Sequence, residues 1–257
     1  MTSISKNLYH VQDFDTRTLL DTYFSSKPDM AFGEDGLKNP LQKLHQTLIR
    51  GHITGTVLMD FSMGPIIHHL YTVCEFFNDI IIMRFKERCI MELNKWRYDR
   101  TGGFDWSHAR DIVKQLEGKS NEQKELKLKL AIKQIVKCNL QKNNLIDPLD
   151  LPKADCVISA WLLDVISQNH EDYVNNLKKI VNFLKPGGYL ILLGVLNGSY
   201  YMVGKEKFHV LTYDENFVKE ALIKQGFIID DCEVFPRAAK SDLTDYTSMM
   251  TLTAHKQ

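Results

Sequence analysis

The sequence lacks several features that would identify a partner by themselves. Its 257 residues carry 32 Lys and Arg against 32 Asp and Glu, so no excess of positive charge attracts nucleic acid or an anionic membrane surface. The most apolar stretches, such as Tyr189 to Leu196, are far shorter than the roughly 20 residues of a membrane span. Met1 to His10 holds no basic region followed by an apolar run. We therefore expect a cytoplasmic protein that binds neither nucleic acid nor a membrane.

Cysteine is sparse and irregularly spaced. The five cysteines lie far apart without a CxxC pair, at Cys74, Cys89, Cys138, Cys156 and Cys232, which suggests neither a disulfide framework nor a zinc site. The adjacent His68 and His69 cannot chelate as an i,i+4 pair would, because neighbouring side chains of a helix point about 100 degrees apart. The sequence therefore predicts reduced thiols and no bound metal.

From about residue 55 onward, short apolar runs alternate with stretches of helical spacing. This alternation predicts an α/β fold with a parallel sheet covered by helices on both faces. The predicted strands are Thr56 to Phe61, Ile80 to Met83, about Ile135 to Leu140, Ala154 to Ser159, Tyr189 to Leu196, Phe227 to Val234 and Met249 to His255. We predict a single domain in which residues 1–53 form a helical cap on a core of residues 54–257.

Two connections carry strong local signals. Ser62 to Pro65 predicts a turn into a helix that continues to about Phe76, because proline suits the first turn of a helix. Lys185 to Gly188 contains a Pro-Gly-Gly stop before an apolar strand, and Tyr200 to Leu211 resembles a hairpin.

Taken in order, several segments resemble one family. They are the strand followed by Asp60-x-x-x-Gly64-Pro65, then Phe104-Asp105-Trp106, Lys137-Cys138, Pro152-x-Ala154-Asp155-Cys156-Val157, Leu184-Lys-Pro-Gly-Gly188 and Ser199-Tyr200-Tyr201-Met202-x-Gly204. Over nearly its whole length the chain resembles the small-molecule N-methyltransferases that act on nicotinamide, phenylethanolamine and indolethylamine. The resemblance implies a doubly wound, seven-stranded Rossmann-like sheet with an antiparallel last strand, an N-terminal helical lid, and S-adenosylmethionine as the family's cofactor.

The glycine-rich turn is the first departure from the family pattern. The family's turn resembles Asp-Ile-Gly-Ser-Gly-Pro, in which glycines let the backbone approach the cofactor. Here Ser62 and Met63 stand between Asp60 and the retained Gly64 and Pro65, so side-chain bulk enters the cofactor region. The alternative is that Met63 turns inward onto the sheet and leaves the pocket open.

Arg84, at the end of the second strand, is the second departure. The resemblance implies an acidic residue there, which accepts hydrogen bonds from ribose hydroxyls. A guanidinium only donates hydrogen bonds and is always charged, so that contact is inverted. Arg84 could instead point to solvent while Glu87 takes the acidic role, or it could bind an anionic group such as a phosphate.

The remaining family-equivalent positions have changed to different degrees. On the cofactor side they are His68, Asn139, Leu140, Ala160 and Tyr201, and on the substrate side Leu19, Phe24, Gly194 and Tyr201. Leu19 and Phe24 replace two lid tyrosines and lose their hydroxyls. Gly194 leaves no carboxylate at the end of the fifth strand to orient a basic nitrogen. Trp161 stands where the family carries a smaller residue, so its indole either packs in the core or fills the cleft.

These departures lead to one hypothesis and two alternatives. We expect a methyltransferase fold in which S-adenosylmethionine binding and catalysis are lost or severely weakened, with no cofactor, no catalytic residue and a structural or ligand-binding role. The alternatives are an active S-adenosylmethionine-dependent N-methyltransferase of small amines or pyridines, and a binder of a phosphate-like anion through Arg84. A small molecule is the expected ligand, and the sequence assigns no oligomeric state.

Overall fold

A computed structural model of the chain describes residues 6–27, 29–118 and 123–257. The strands are β1 (Val57–Asp60), β2 (Asp79–Arg84), β3 (Ile132–Lys137), β4 (Ala154–Ala160), β5 (Leu184–Leu196), β6 (Tyr200–Val203), β7 (Glu206–His209), β8 (Phe227–Pro236) and β9 (Ser248–Lys256). The helices are α1 (Thr16–Tyr23), α2 (Lys38–Ile49), α3 (Leu70–Val73), α4 (Glu87–Arg97), α5 (Ser107–Glu117), α6 (Lys124–Ala131), α7 (Leu163–Ile166), α8 (His170–Val181) and α9 (Glu215–Ile223).

The main sheet has seven strands in the order β3-β2-β1-β4-β5-β9-β8. The first five of these pair in parallel, whereas β9 runs antiparallel to both β5 and β8. The predicted doubly wound, Rossmann-like fold with a reversed last strand is therefore confirmed. Strand order reverses between β1 and β4, and ligands of such sheets bind at the carboxyl ends of the strands at this switch point.

The central strands form because their sequences are apolar on both faces. In β2, Ile80 to Arg84 is buried throughout, and in β4 every residue except Asp155 is buried. A parallel sheet with helices on both faces requires such continuous burial. The pattern explains why these strands were predictable, and it makes the buried Arg84 at the end of β2 an exception.

Three predicted segments have wrong bounds. Lys185 to Gly188, predicted to stop the chain before a strand at Tyr189, lies inside β5, which begins at Leu184 and pairs there with Ala154 of β4. The third strand begins at Ile132, where it pairs with Ile80 of β2, and it ends at Lys137 instead of Leu140. The helix predicted from the glycine turn to about Phe76 is only α3, because the chain up to His69 runs in turns. The carbonyl of Ile66 accepts a hydrogen bond from Arg84 at 2.8 Å, and the Leu70 amide bonds to the Ile67 carbonyl instead. An α-helix needs the bond from residue 70 to residue 66.

Helix α1 lies over the turn that follows β1, since Leu19 approaches Gly64 there. Helix α1 contacts α4 and β6, and Tyr23 donates to the Met202 carbonyl of β6 at 2.8 Å. The division between a cap of residues 1–53 and a core of residues 54–257 stays a prediction. None of the helices described is both long and apolar enough to cross a membrane.

Candidate functional site

A buried ion pair joins the ends of β1 and β2. The Arg84 Nη2 atom lies 2.7 Å from Asp60 Oδ2, and both side chains have 0% exposed area. Arg84 Nη1 also donates to the Asp60 and Met83 carbonyls at 2.9 Å. With the Ile66 carbonyl, the two terminal nitrogens therefore have four acceptors, all supplied by the protein itself.

The inward position of Arg84 corrects two alternatives. The guanidinium does not point to solvent, and Glu87 does not replace the missing acid, because it is exposed and pairs with Lys137 at 3.2 Å. The phosphate alternative is also wrong for this conformation, since both terminal nitrogens are bonded and no surface of Arg84 is open. The Arg84 guanidinium instead pairs with the buried carboxylate of Asp60.

Asp60 has further partners that fix its charge. Its Oδ1 atom lies 2.8 Å from His69 Nε2 and accepts from the Ser62 hydroxyl. Burial alone raises the pKa of Asp60, but the charges of Arg84 and then His69 outweigh it and hold the pKa well below its usual range. The carboxylate is therefore ionised and surrounded by protein donors. Ser62, predicted to intrude on a cofactor, instead belongs to this buried cluster.

The glycine turn is covered by the N-terminal residues. Gly64 has φ +59, and a Cβ there would lie 2.7 Å from Leu19 Cδ2, so the lid leaves no space above the turn. The Gly64 amide donates to the Tyr9 hydroxyl at 2.9 Å. Tyr9 is a site residue that the sequence analysis missed, because it lies 55 positions from its partner and no spacing rule joins them.

Aromatic rings fill the space beyond the turn. His68 packs against Phe24, Trp106 and Trp161, with ring centroids 5.2, 5.8 and 5.8 Å away. Burial, followed by the nearby His69 and His108, holds the pKa of His68 well below its usual value, so the imidazole is a neutral member of the stack. Trp161 therefore lies in the cleft. Its φ of +52 is a rare backbone conformation for a bulky residue.

The cavity that remains between the lid and the sheet has a volume of about 30 Å³. Leu19, Phe24, Met63, Trp161 and Tyr201 all line it, so Met63 faces the residual space and the alternative in which it leaves the pocket open is wrong. The Tyr201 hydroxyl is buried and has no hydrogen-bond partner among the described residues. Such a volume holds about two water molecules.

The substrate-side expectation at Gly194 needs a correction, because the carboxyl group of Asp164 lies beside it. A Cβ on Gly194 would lie 2.6 Å from the Tyr213 hydroxyl and 3.1 Å from Asp164 Oδ1. Asp164 accepts hydrogen bonds from the Tyr213 hydroxyl and from the Val195 amide, and it lines the small cavity. The missing side chain of Gly194 thus leaves room for an acid from α7. Sequence analysis missed it because Asp164 lies outside every motif used.

A model of the NNMT/PNMT/TEMT family matches residues 3–257. The chain belongs to this family. Nicotinamide N-methyltransferase of Homo sapiens is 31% identical over 254 residues, which cover 98% of this chain and 96% of that protein. Indolethylamine N-methyltransferase of Oryctolagus cuniculus is 31% identical, covering 94% and 92%. Phenylethanolamine N-methyltransferase of Homo sapiens is 30% identical, covering 76% and 71%.

Solved structures agree with the NNMT/PNMT/TEMT assignment at the level of the fold. Magnesium protoporphyrin IX methyltransferase (ChlM) from Synechocystis PCC 6803, with bound SAH, has a TM-score of 0.54 at 11% identity, covering 94% of this chain and 93% of that one. The glycopeptide N-methyltransferase MtfA, complexed with (S)-adenosyl-L-methionine, has a TM-score of 0.54 at 8% identity, covering 85% and 94%. These structures show a shared S-adenosylmethionine-dependent methyltransferase fold.

The family positions on the far side of the cleft lie in a different pocket. Asn139 and Leu140 line an open cavity of about 530 Å³ after β3, and none of its described lining residues lines the small cavity. Ala160, at the end of β4, is buried, and its carbonyl accepts from the Met63 amide at 2.9 Å. Pro65 is buried in the turn. The positions that the NNMT/PNMT/TEMT resemblance groups together therefore do not line one continuous pocket.

Metal ligation has no support in the part of the chain that the structure describes. No group of three or more His, Cys, Asp and Glu side chains there could hold a metal ion. His69 bonds to Asp60 and His68 lies in the ring stack. The two histidines therefore have separate structural roles in this NNMT/PNMT/TEMT member.

Proposed function

We propose that this member of the NNMT/PNMT/TEMT family does not bind S-adenosylmethionine in the ordinary pose and is a non-enzymatic protein with a structural or ligand-binding role. The buried Arg84–Asp60 ion pair carries the proposal. It puts a hydrogen-bond donor where the fold calls for an acceptor of ribose hydroxyls. It also engages the carboxylate of Asp60 internally.

Space supports the same conclusion. Pockets for small molecules and cofactors enclose about 300–1,000 Å³, whereas the cavity beside Met63 and Trp161 encloses about 30 Å³. To admit a donor, the lid residues and the ring stack around His68 would have to separate. The open cavity at Asn139 and Leu140 is large enough for part of a cofactor, but it shares no described lining residue with the cavity beside the glycine turn. In this conformation the turn side therefore has no room for S-adenosylmethionine, and we derive no methyl-transfer step through it.

Energetics indicate how large the effect is. Losing one partner of a buried, charged hydrogen bond costs about 2–5 kcal/mol of binding free energy, which is about one and a half to three and a half decades in Kd. The Arg84 substitution by itself therefore weakens donor binding severely. Separating the aromatic rings around His68 adds a further cost to the free energy of donor binding.

One observation favours the second candidate, an active N-methyltransferase of small amines or pyridines. The Asp164 carboxyl lies beside Gly194 and lines the small cavity, so an acid able to orient a basic nitrogen is available there. The printed names of the relatives at about 30% identity are N-methyltransferases. This candidate requires a conformation in which Arg84 leaves Asp60.

Isothermal titration with S-adenosylmethionine and S-adenosylhomocysteine separates the two candidates. We expect no binding heat from this chain. The positive controls are MtfA, which was solved with S-adenosylmethionine, and ChlM, which was solved with SAH. The same samples are then assayed for methyl transfer to nicotinamide, tryptamine and phenylethanolamine, where we expect no product. Micromolar donor binding, or any methylated product, would contradict the proposal and support the active enzyme.

We further propose a cytoplasmic location and a small-molecule ligand.

A further inference from the structure

The N-terminal residues 6–14, here named the strap, cross the cleft and pair with the hairpin of β6 and β7. The Asn7 amide donates to the Lys207 carbonyl, and the His209 amide donates to the Asn7 carbonyl, both at 2.8 Å. This short bridge adds the strap to the edge of β7. The Lys6 ammonium donates to the Ser199 carbonyl at 2.8 Å. The chain before the first helix is therefore fixed to the opposite side of the cleft.

Tyr9 is the part of the strap that enters the cleft. Its side chain is fully buried, and its hydroxyl oxygen accepts from the Gly64 amide at 2.9 Å. Burial raises the pKa of Tyr9 well above its usual value, so the hydroxyl stays protonated. The ring packs on Phe14, 5.5 Å away, which in turn meets Phe208 of β7 at 5.8 Å. The Tyr9 hydroxyl thus accepts the hydrogen bond that the Gly64 amide could otherwise donate to a ligand.

Some of the contacts that hold the strap in place lie at the surface. Asn7 donates to Glu206 through an exposed hydrogen bond, and Asp13, which is 62% exposed, pairs with the buried Lys86 and the exposed Arg88. Exposed ion pairs contribute little to stability. Segments held by few buried groups open locally more readily than core strands do. Within the strap, the buried side chains that anchor it are Tyr9 and Phe14.

We propose that the strap is a displaceable plug, which seats Tyr9 on the Gly64 amide and leaves the cleft by local opening while the seven-stranded sheet stays folded. The inference deepens the proposed function and rests on the closure of the same cleft. It names the element whose movement controls access to the glycine turn. The strap would therefore regulate entry of any ligand that needs the Gly64 amide.

Native-state hydrogen exchange on the full chain, in urea concentrations below the unfolding transition, tests this proposal. We expect the amides of Gly64, Asn7 and His209 to exchange through openings that do not depend on urea. The amides of β1 and β4 should exchange only through a strongly urea-dependent, global opening. If the Gly64 amide shares the urea dependence of β1, the strap does not open separately and the proposal is wrong.

A tyrosine variant gives the second arm. In Tyr9→Phe the ring remains, but the hydrogen bond to Gly64 is lost, so the Gly64 amide should exchange about tenfold faster for a bond of about 1–1.5 kcal/mol. The matched control is Tyr200→Phe, which removes the hydroxyl bonded to the Asp242 carbonyl outside the cleft and should leave the Gly64 rate unchanged. An unchanged rate in Tyr9→Phe contradicts the proposal. Donor titration does not report this opening, so either proposal can fail without the other.

Discussion

Replacing Arg84 with methionine is expected to lower the free energy of unfolding by about 3–5 kcal/mol, because it leaves the buried Asp60 carboxylate without its counter-ion. Methionine keeps much of the side-chain length but removes every donor. His69 and Ser62 still bond to Asp60, so the loss is not complete. Urea denaturation at pH 7 measures the change directly.

Two further variants separate the contribution of the ion pair to stability from that of side-chain packing. Adding Asp60→Asn to Arg84→Met removes the stranded charge, and we expect at least half of the lost stability to return. Lys185→Met breaks the half-exposed pair with Asp155 and should change stability by only about 0–1 kcal/mol. If Arg84→Met costs no more than Lys185→Met, Arg84 is not the internal partner described here.

The variant Asp164→Asn is expected to remove a large pH dependence of stability. Burial raises the pKa of Asp164 from 3.8 to about 7, even though its hydrogen bonds to Tyr213 and the Val195 amide oppose the shift. The folded protein therefore holds a proton that the unfolded chain releases near pH 4. This contribution is complete below about pH 4 and is lost as the pH rises to about 7, since the unfolded state then binds fewer protons than the native state.

The size of that effect follows from the shift of about three units. At about 1.4 kcal/mol per unit, wild type loses about 4 kcal/mol of stability between pH 4 and pH 7 through this group, whereas Asp164→Asn does not. Urea denaturation at several pH values between 4 and 8 gives the difference between the two proteins. Asp150→Asn, the same change at an exposed residue, is the control. Parallel pH profiles for wild type and Asp164→Asn would show that folding does not raise the pKa of Asp164.

The sheet could be predicted because its strands have local signals. Runs such as Ile80 to Met83 admit few other structures, and the hairpin at Tyr200 to Leu211 has a clear pattern. The delayed start of the helix after Pro65 could not be predicted, because it depends on a side chain from another strand. Arg84 binds the Ile66 carbonyl, and no local propensity reports a competitor that lies 18 residues away.

The candidate site divides in the same way. Departures such as Ser62, Met63 and Arg84 stand out against a family motif, so the sequence could single out these positions, while their effect on cofactor binding stays a prediction. The partners could not: Asp60 for Arg84 and Tyr9 for Gly64 meet only in the folded chain. The buried charges of Arg84 and Asp60 are paired with each other, since an unpaired buried charge is costly.

Trp161 shows how closure is maintained against a local penalty. A bulky residue at φ +52 stores about 1–3 kcal/mol of backbone strain. Its indole packs against Phe24, Phe32 and His68, and burial of aromatic surface of this kind offsets strain of that size. The closed cleft is thus supported by packing as well as by the ion pair.

The most direct test of the closed cleft is a crystal structure of the chain grown with millimolar S-adenosylhomocysteine. We expect the Arg84 guanidinium to remain bonded to Asp60 and the Tyr9 hydroxyl to remain bonded to the Gly64 amide. We expect no ligand density between β1 and β4. A nucleoside seated at the end of β2, with Arg84 turned away from Asp60, would contradict this expectation.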